Sequence, residues 1–393
     1  VTTTETSATD STRAGQPATS DPEASGGHWL GRFIRPDLGD AAGYDARHHD
    51  FAWQNRHLAR LMSNECPIPP DESLIQAAVS AMTEGNLYPH SGWELRDAVA
   101  AFAGVDPSQV ILGNGSTEIL DVVTRSFITP GDEAVIPVPT YGFYETQVRL
   151  NGGRPILVPA TADLGFNVPD VLAAIGPRTK LIFISSPNNP IGRSWTVEEI
   201  ESLLATGIPT VIDQAYLECG PGTSFAALVA RWPNLIVTRT FSKAFGLAAI
   251  RLGYGIADPE LIDILLRVRI PFSVSLIATR VGLAAVRDAS IVERRRAFIS
   301  AERDRLFTAL ADMPGVVPWP SETNFITIDV TATGRTSTEY VDEARAENLL
   351  LRRMAAHRLD GQYVRVTIGT VADNDRFLEV FGASVPPARH ATA

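Results

Sequence analysis

Cysteine is almost missing from this chain. Cys66 and Cys219 are the only two in 393 residues, so no disulfide framework can hold the fold together. There is also no apolar run of the roughly 18 residues that a membrane-spanning helix needs. Positive charge is in the minority, 34 Lys and Arg against 45 Asp and Glu for a net charge of -11, which argues against a general attraction to nucleic acid or an anionic membrane. The adjacent His48 and His49 lack the i, i+4 spacing of helical metal ligands, and no Cys/His cluster accompanies them, so no metal is expected. Residues 1–27 hold seven Thr and four Ser but no large aliphatic beyond Val1. Such a composition cannot offset the entropy of ordering, so 1–27 reads as a disordered tail and 386–393 as a second, looser end. The first stretch lacks both the apolar core of a secretory signal and the arginines of a transit peptide. A soluble, cytoplasmic protein is expected.

What is present is ordinary globular material, 45% hydrophobic and 20% charged, enough for a sizeable core in two or three folding units. Short β-type runs alternate with helical patterns, which indicates an α/β fold with a largely parallel sheet. Strands are expected at 109–112, 133–137, 181–185, 210–213, 235–238 and 253–256. Thr196 and Glu199 form a capping box before the apolar face of Ile200, Leu203 and Leu204. Residues 288–312 read as a charged helix, and strands near 323–330 and 363–368 around a helix at 338–347 suggest a smaller α+β domain. Arg294-Arg295-Arg296 reads as a solvated helical face.

The chemistry concentrates in four loops. Thr240-Phe241-Ser242-Lys243-Ala244-Phe245-Gly246, with Arg251 eight residues after the lysine, supplies two hydroxyls and a guanidinium suited to a phosphate dianion. A lysine beside a phosphate site suggests a carbonyl-bearing phosphorylated cofactor held as a Schiff base, rather than a solvated surface cation. Gly113-Asn114-Gly115-Ser116-Thr117-Glu118 precedes an amphipathic helix whose free N–H groups could receive an anion; an ordinary turn with Ser116 as N-cap is the alternative. It has neither the Gly-Lys-Ser/Thr of a Walker loop nor the third glycine of a dinucleotide fingerprint. Asp213, ending an apolar strand, needs a cation if buried, and a protonated pyridine nitrogen would be one. Tyr216 follows three residues on, and Asn189 sits in the stiff loop Ser186-Pro187-Asn188-Asn189-Pro190.

Together these motifs, with Asn64-Glu65-x-Pro67, Tyr88-Pro89, Pro139-Thr140-Tyr141-Gly142 and Arg365-Val366-Thr367-Ile368-Gly369-Thr370, resemble the fold-type I aminotransferases that use pyridoxal 5′-phosphate, in the class I/II branch around histidinol-phosphate aminotransferase. The resemblance covers roughly 61–370. It implies an aspartate aminotransferase-like fold: an N-terminal arm and part of a small domain at 28–75, a large cofactor domain at 76–285, and the rest of the small domain at 286–385. It makes Lys243 the Schiff-base lysine and proton shuttle, and Asp213 the partner of the pyridine nitrogen. Tyr216 and Asn189 would hold the ring oxygen, and Tyr141 would stack on the ring. Gly115, Ser116, Thr117, Thr240, Ser242 and Arg251 would surround the phosphate, with Tyr88 reaching it from the partner subunit of a homodimer. Arg365 would bind the substrate α-carboxylate, with Arg352 and Asn64 also on the substrate side. The substrates would be an amino acid, or an amino compound such as histidinol phosphate, and a 2-oxo acid.

Some positions depart from that pattern. No Pro-Tyr pair precedes Asn64, no glycine follows Pro67, and Arg353 stands where the family has proline after Arg352. These differences point to a branch enzyme acting on another polar amino acid. The same scaffold also supports decarboxylases, β-lyases and oxidative deaminases. A non-catalytic cofactor-binding or partner-binding protein is a more distant alternative.

Overall fold

In the computed structural model, residues 33–35, 47–354, 359 and 361–387 are described. The chain divides into two units, 1–41 and 42–393. Only 33–35 of the first are described, and every helix and strand among the described residues belongs to the second. The expected tails lie outside the described residues, save for 386 and 387.

The helix Arg47–Gln54 leads to a two-residue strand, β1 (Ala59–Arg60). A seven-stranded sheet comes next: β2 (Val110–Gly113), β3 (Glu133–Val138), β4 (Arg154–Pro159), β5 (Thr179–Ser185), β6 (Thr210–Asp213), β7 (Leu235–Thr240) and β8 (Gly253–Ile256). Their order across the sheet is β2-β8-β7-β6-β5-β3-β4, with β8 antiparallel to both of its neighbours and the other pairs parallel. Central strands covered by helices on both faces must be apolar along their whole length, and β6 (Thr-Val-Ile-Asp) is buried at every residue. Six of these strands are as expected to within two residues. The seventh, β4, carries Pro155 and Pro159, which disguise it; it is an edge strand, where a missing ladder donor is tolerated.

The remaining strands are β9 (Val317–Pro318), β10 (Phe325–Asp329), β11 (Leu349–Leu350), β12 (Arg352–Arg353) and β13 (Tyr363–Thr367). They build an antiparallel sheet, β12-β13-β10-β9, while β11 pairs with β1. The 23-residue helix Ala289–Ala311 bridges the two cores. Ile291, Val292 and Ile299 pack with the large sheet, whereas Leu306 and Leu310 join Leu61, Ile326 and Phe377 in the small one.

That helix also corrects the reading of its arginines. Arg294 and Arg296 are exposed, but Arg295 is 1% exposed and donates to the carbonyls of Ile291 (3.1 Å) and Pro69 (2.8 Å) and to Asp71 Oδ1 (2.7 Å). Successive helical residues differ by about 100° in direction, so three in a row cannot share one face. No helix among the described residues is long and apolar enough to cross a membrane.

Candidate active site

β2, β3, β5, β6 and β7 all run the same way, and every loop singled out by its chemistry leaves from their C-terminal ends. Open α/β sheets build their sites along this edge. Lys243 lies three residues past β7, in a turn completed by Gly246 at φ +68°. Its Nζ donates to the carbonyl of Asn64 at 3.0 Å and reaches that of Ser63 at 3.4 Å. Burial, reinforced by the Arg365 guanidinium, lowers the amine's pKa from 10.5 to about 8. A lysine so shifted is a usable nucleophile and base near neutrality.

Asp213 ends β6 and is buried. Its Oδ2 accepts from the Tyr144 hydroxyl at 2.7 Å and its Oδ1 from the Ala215 N–H at 3.1 Å. Burial raises its pKa, opposed by these two donors and by Lys243. No salt bridge to Asp213 forms among the described residues, so its strongest unmet demand is for a cation.

Asn64 is the hub of the cluster. Its left-handed backbone (φ +55°), tolerated better by Asn than by most residues, aims the carbonyl at Lys243 and at Asn324 Nδ2 (3.0 Å). Its side chain donates to the Tyr216 hydroxyl at 2.9 Å and accepts from Thr367 Oγ1 at 3.0 Å. Arg365, two residues before Thr367 on β13, donates to Asn189 Oδ1 (2.6 Å) and to the Met62 carbonyl (3.0 Å). The Asn189 amide therefore turns its N–H₂ away from Arg365. Arg352 is the direct cross-strand partner of Arg365; it is half-buried, and its side chain forms no hydrogen bond or ion pair among the described residues. Arg353 is exposed and pairs instead with Asp342.

The expected phosphate residues meet at one corner. Gly253 is the register partner of both Gly113 and Thr240. A Cβ on Gly115 (φ +76°) would lie 2.8 Å from Arg251 Nη2, and one on Gly253 would lie 2.2 Å from the Ser116 nitrogen. Gly115, not Ser116, is the N-cap of the helix Ser116–Phe127, so Ser116 and Thr117 stand in its first turn, where N–H groups have no intrahelical acceptor. The Thr240 hydroxyl bonds inward, donating to Ser242 Oγ (3.0 Å) and accepting from its N–H (3.1 Å). It braces the turn. Tyr141 lies half-buried with its ring edge-on to Tyr144 at 5.6 Å. Tyr88 stands apart, 84% exposed, its ring 5.1 Å from that of Phe272.

The family model for aminotransferase class I and II matches residues 56–381, a span that contains every one of these groups. The chain belongs to the aminotransferase class I and II family. It is 35% identical over 335 residues to the histidinol-phosphate aminotransferase of Methanothermobacter thermautotrophicus, covering 84% of this chain and 89% of that protein. It is 36% identical over 342 residues to histidinol-phosphate aminotransferase 1 of Thiobacillus denitrificans, covering 85% and 87%. The histidinol-phosphate aminotransferase of Sinorhizobium meliloti, solved in complex with pyridoxal-5′-phosphate, superposes with a TM-score of 0.79 at 25% identity, over 90% of this chain and 97% of that one. The aspartate aminotransferase of Thermus thermophilus with maleate shares the fold at a TM-score of 0.80 and 22% identity, over 89% and 99%.

Several residues of this aminotransferase were not visible from the sequence. Tyr144 had no signal beyond lying three residues after Tyr141. Glu218 and Arg239 face each other at 3.7 Å, Arg239 buried and Glu218 largely covered, and Arg239 also donates to Gln214 Oε1 at 3.1 Å. This ties the loop after Asp213 to the strand before Lys243. The apolar neighbours of Glu218, Leu217 and Cys219, were the available clue. His49 is half-buried near Glu65, Arg60, Arg352 and Lys243, and burial lowers its pKa. Cys219 is fully buried with its thiol pKa pushed up, an inert packing residue.

Proposed function

We propose that this aminotransferase binds pyridoxal phosphate through Lys243 and moves an amino group between histidinol phosphate, or an amino compound of the same anionic class, and a 2-oxo acid. The observation that carries the reading is the convergence of Lys243, Asp213, Tyr216, Asn189, Arg251 and Arg365 at one sheet edge. Two features fit this cofactor in particular: a buried carboxylate lacking a cation, and the glycine-lined corner beside Arg251, which a Cβ would fill. The cofactor, when bound, supplies the electron sink that makes a substrate Cα proton removable.

The chain's own residues do the rest. Asp213 holds the proton on the ring nitrogen, Tyr216 and Asn189 fix the ring oxygen, and Tyr141 covers a ring face. Ser242, Arg251 and the N–H groups at Gly115, Ser116 and Thr117 hold the phosphate, with Thr240 bracing their turn. Arg365 would bind a carboxylate in a fork, and the Lys243 amine, which would hold the cofactor, is placed to take up and return the substrate Cα proton.

The substrate class rests on the Arg352–Arg365 pair. Histidinol phosphate carries CH₂–O–phosphate where an amino acid carries its carboxylate, so one site must accept a small anion and a larger one. Two arginines opposite each other on adjacent strands suit both, and the curated relatives bear that substrate's name. Replacement of the family's proline by Arg353 does not disturb this pair, because Arg353 turns outward to Asp342. The reading as an enzyme for another polar amino acid keeps its support only in the segment around Asn64, in the missing Pro-Tyr before it and the missing glycine after Pro67.

The active unit is a homodimer in this proposal. The helix Glu72–Met82 presents Ile75, Val79 and Met82 to solvent on one stripe, and Leu87, Tyr88 and Phe272 are also exposed. Such apolar surface calls for cover, and Tyr88 would then complete the partner's phosphate site. The test is a half-reaction screen: pyridoxal phosphate-loaded protein is mixed with histidinol phosphate and a panel of amino acids, and loss of the visible band is followed. Conversion by histidinol phosphate and one common acid such as glutamate is expected; conversion by another polar amino acid alone would replace the substrate assignment.

A further inference from the structure

Tyr144 is fixed from three sides. Its ring lies parallel to Phe183 of β5, 5.2 Å away and 7° from coplanar, and edge-on to Tyr141. Its hydroxyl bonds Asp213 Oδ2 at 2.7 Å, and it is 1% exposed. The phenol cannot swing to another partner without leaving a buried carboxylate oxygen short of a donor, which is costly. The two donors to Asp213 come from different segments, Tyr144 from the helix Phe143–Leu150 that follows β3 and the Ala215 N–H from the loop after β6, so together they set the plane of the carboxylate. Tyr144 also touches the residue proposed to cover the ring face. It thereby links the two supports of one ring.

We propose that Tyr144 is the positioning residue of Asp213 and sets the pH range over which this site holds pyridoxal phosphate, an inference that rests on the cofactor reading above. The groups facing Asp213 are Tyr144, Tyr216, Lys243, and its cross-strand neighbours Thr238 and Ser185. Lys243 alone among them is charged near neutrality. Burial pushes the Asp213 carboxyl toward its neutral form, and the Tyr144 hydroxyl is the leading force against it. Burial and the neighbouring carboxylate keep the phenol itself protonated throughout the working range. Without that hydroxyl, Asp213 takes up a proton at higher pH, and a neutral carboxyl no longer favours a protonated ring nitrogen. Cofactor affinity then falls at low pH and recovers as pH rises.

The experiment titrates apoprotein with pyridoxal phosphate, following visible absorbance, for wild type, Tyr144→Phe and Tyr144→His at pH 6.5 and pH 8.5, with apoprotein melting temperatures alongside. Loss of a hydrogen bond to a charged group corresponds to about tenfold or more in affinity. Tyr144→Phe is expected to bind about tenfold more weakly than wild type at pH 6.5, with the ratio narrowing at pH 8.5, while Tyr144→His restores a donor and most of the affinity. Equal affinities, or an equal loss at both pH values that tracks a lower melting temperature, would overturn the proposal. Failure of wild type to bind pyridoxal phosphate would instead overturn the cofactor reading and this inference with it.

Discussion

Replacing Lys243 with methionine should make the cofactor-free protein more stable. The side chains are similar in length, but the amine is a buried cation beside the Arg365 guanidinium, and its pKa falls from 10.5 to about 8. At about 1.4 kcal/mol per unit, that shift corresponds to at most about 3 kcal/mol of destabilisation. The sign comes from proton counts. Below pH 8 the amine is protonated in both states and the penalty is complete; between pH 8 and 10.5 the unfolded chain binds more protons, so wild-type stability rises with pH and the penalty disappears. The Asn64 carbonyl loses the Lys243 bond but keeps Asn324 Nδ2 at 3.0 Å, which limits the loss on the other side to about 1 kcal/mol. A net gain of about 1 to 3 kcal/mol at pH 7 is therefore expected, read as a shift in urea midpoint at fixed protein concentration. The advantage should shrink across pH 8 to 10.5. A variant no more stable than wild type at pH 7, or an advantage that is the same at both ends of that window, would show that the buried amine carries no such penalty.

Three further outcomes rest on single contacts. Gly115→Ala places a Cβ 2.8 Å from Arg251 Nη2 at a φ of +76°, so pyridoxal phosphate affinity should fall at least tenfold and stability by about 1 to 3 kcal/mol, measured by titration and denaturation. Glu218→Leu strands the buried Arg239 guanidinium and should cost about 3 to 5 kcal/mol, whereas Glu218→Leu with Arg239→Met should cost much less, as a double-mutant cycle on denaturation midpoints would report. Arg352→Gln should raise KM for histidinol phosphate at least tenfold while moving KM for glutamate less, since Arg365 still receives a carboxylate; equal effects on the two would show that Arg352 does not read the larger anion.

The sheet and its chemical edge were legible because two independent patterns coincide there. β5, β6 and β7 are short apolar runs, and each is followed by residues whose side-chain chemistry is out of place in an ordinary turn: Asn189, Asp213 with Tyr216, and Ser242 with Lys243. β4 was hidden by its prolines, which matter less at an edge. Tyr144, Glu218 and Arg239 were hidden for another reason. Their significance is a matter of who faces whom across strands, 69 residues apart for Tyr144 and Asp213, and no local spacing encodes such a pairing. Arg295 shows the same limit in reverse, since a run of three arginines looks solvated until the helix is turned and the middle one meets Asp71 and Pro69.

Everything proposed for the site depends on the Lys243 amine holding pyridoxal phosphate, and the bond itself can be trapped chemically. Protein incubated with pyridoxal phosphate is reduced with borohydride, digested and weighed by mass spectrometry, with Lys243→Ala treated in parallel. A yellow wild-type protein is expected before reduction, then the cofactor's added mass on the peptide containing Lys243, and neither in the variant. A colourless wild type, or label carried on another lysine while Lys243 stays unmodified, would contradict the assignment.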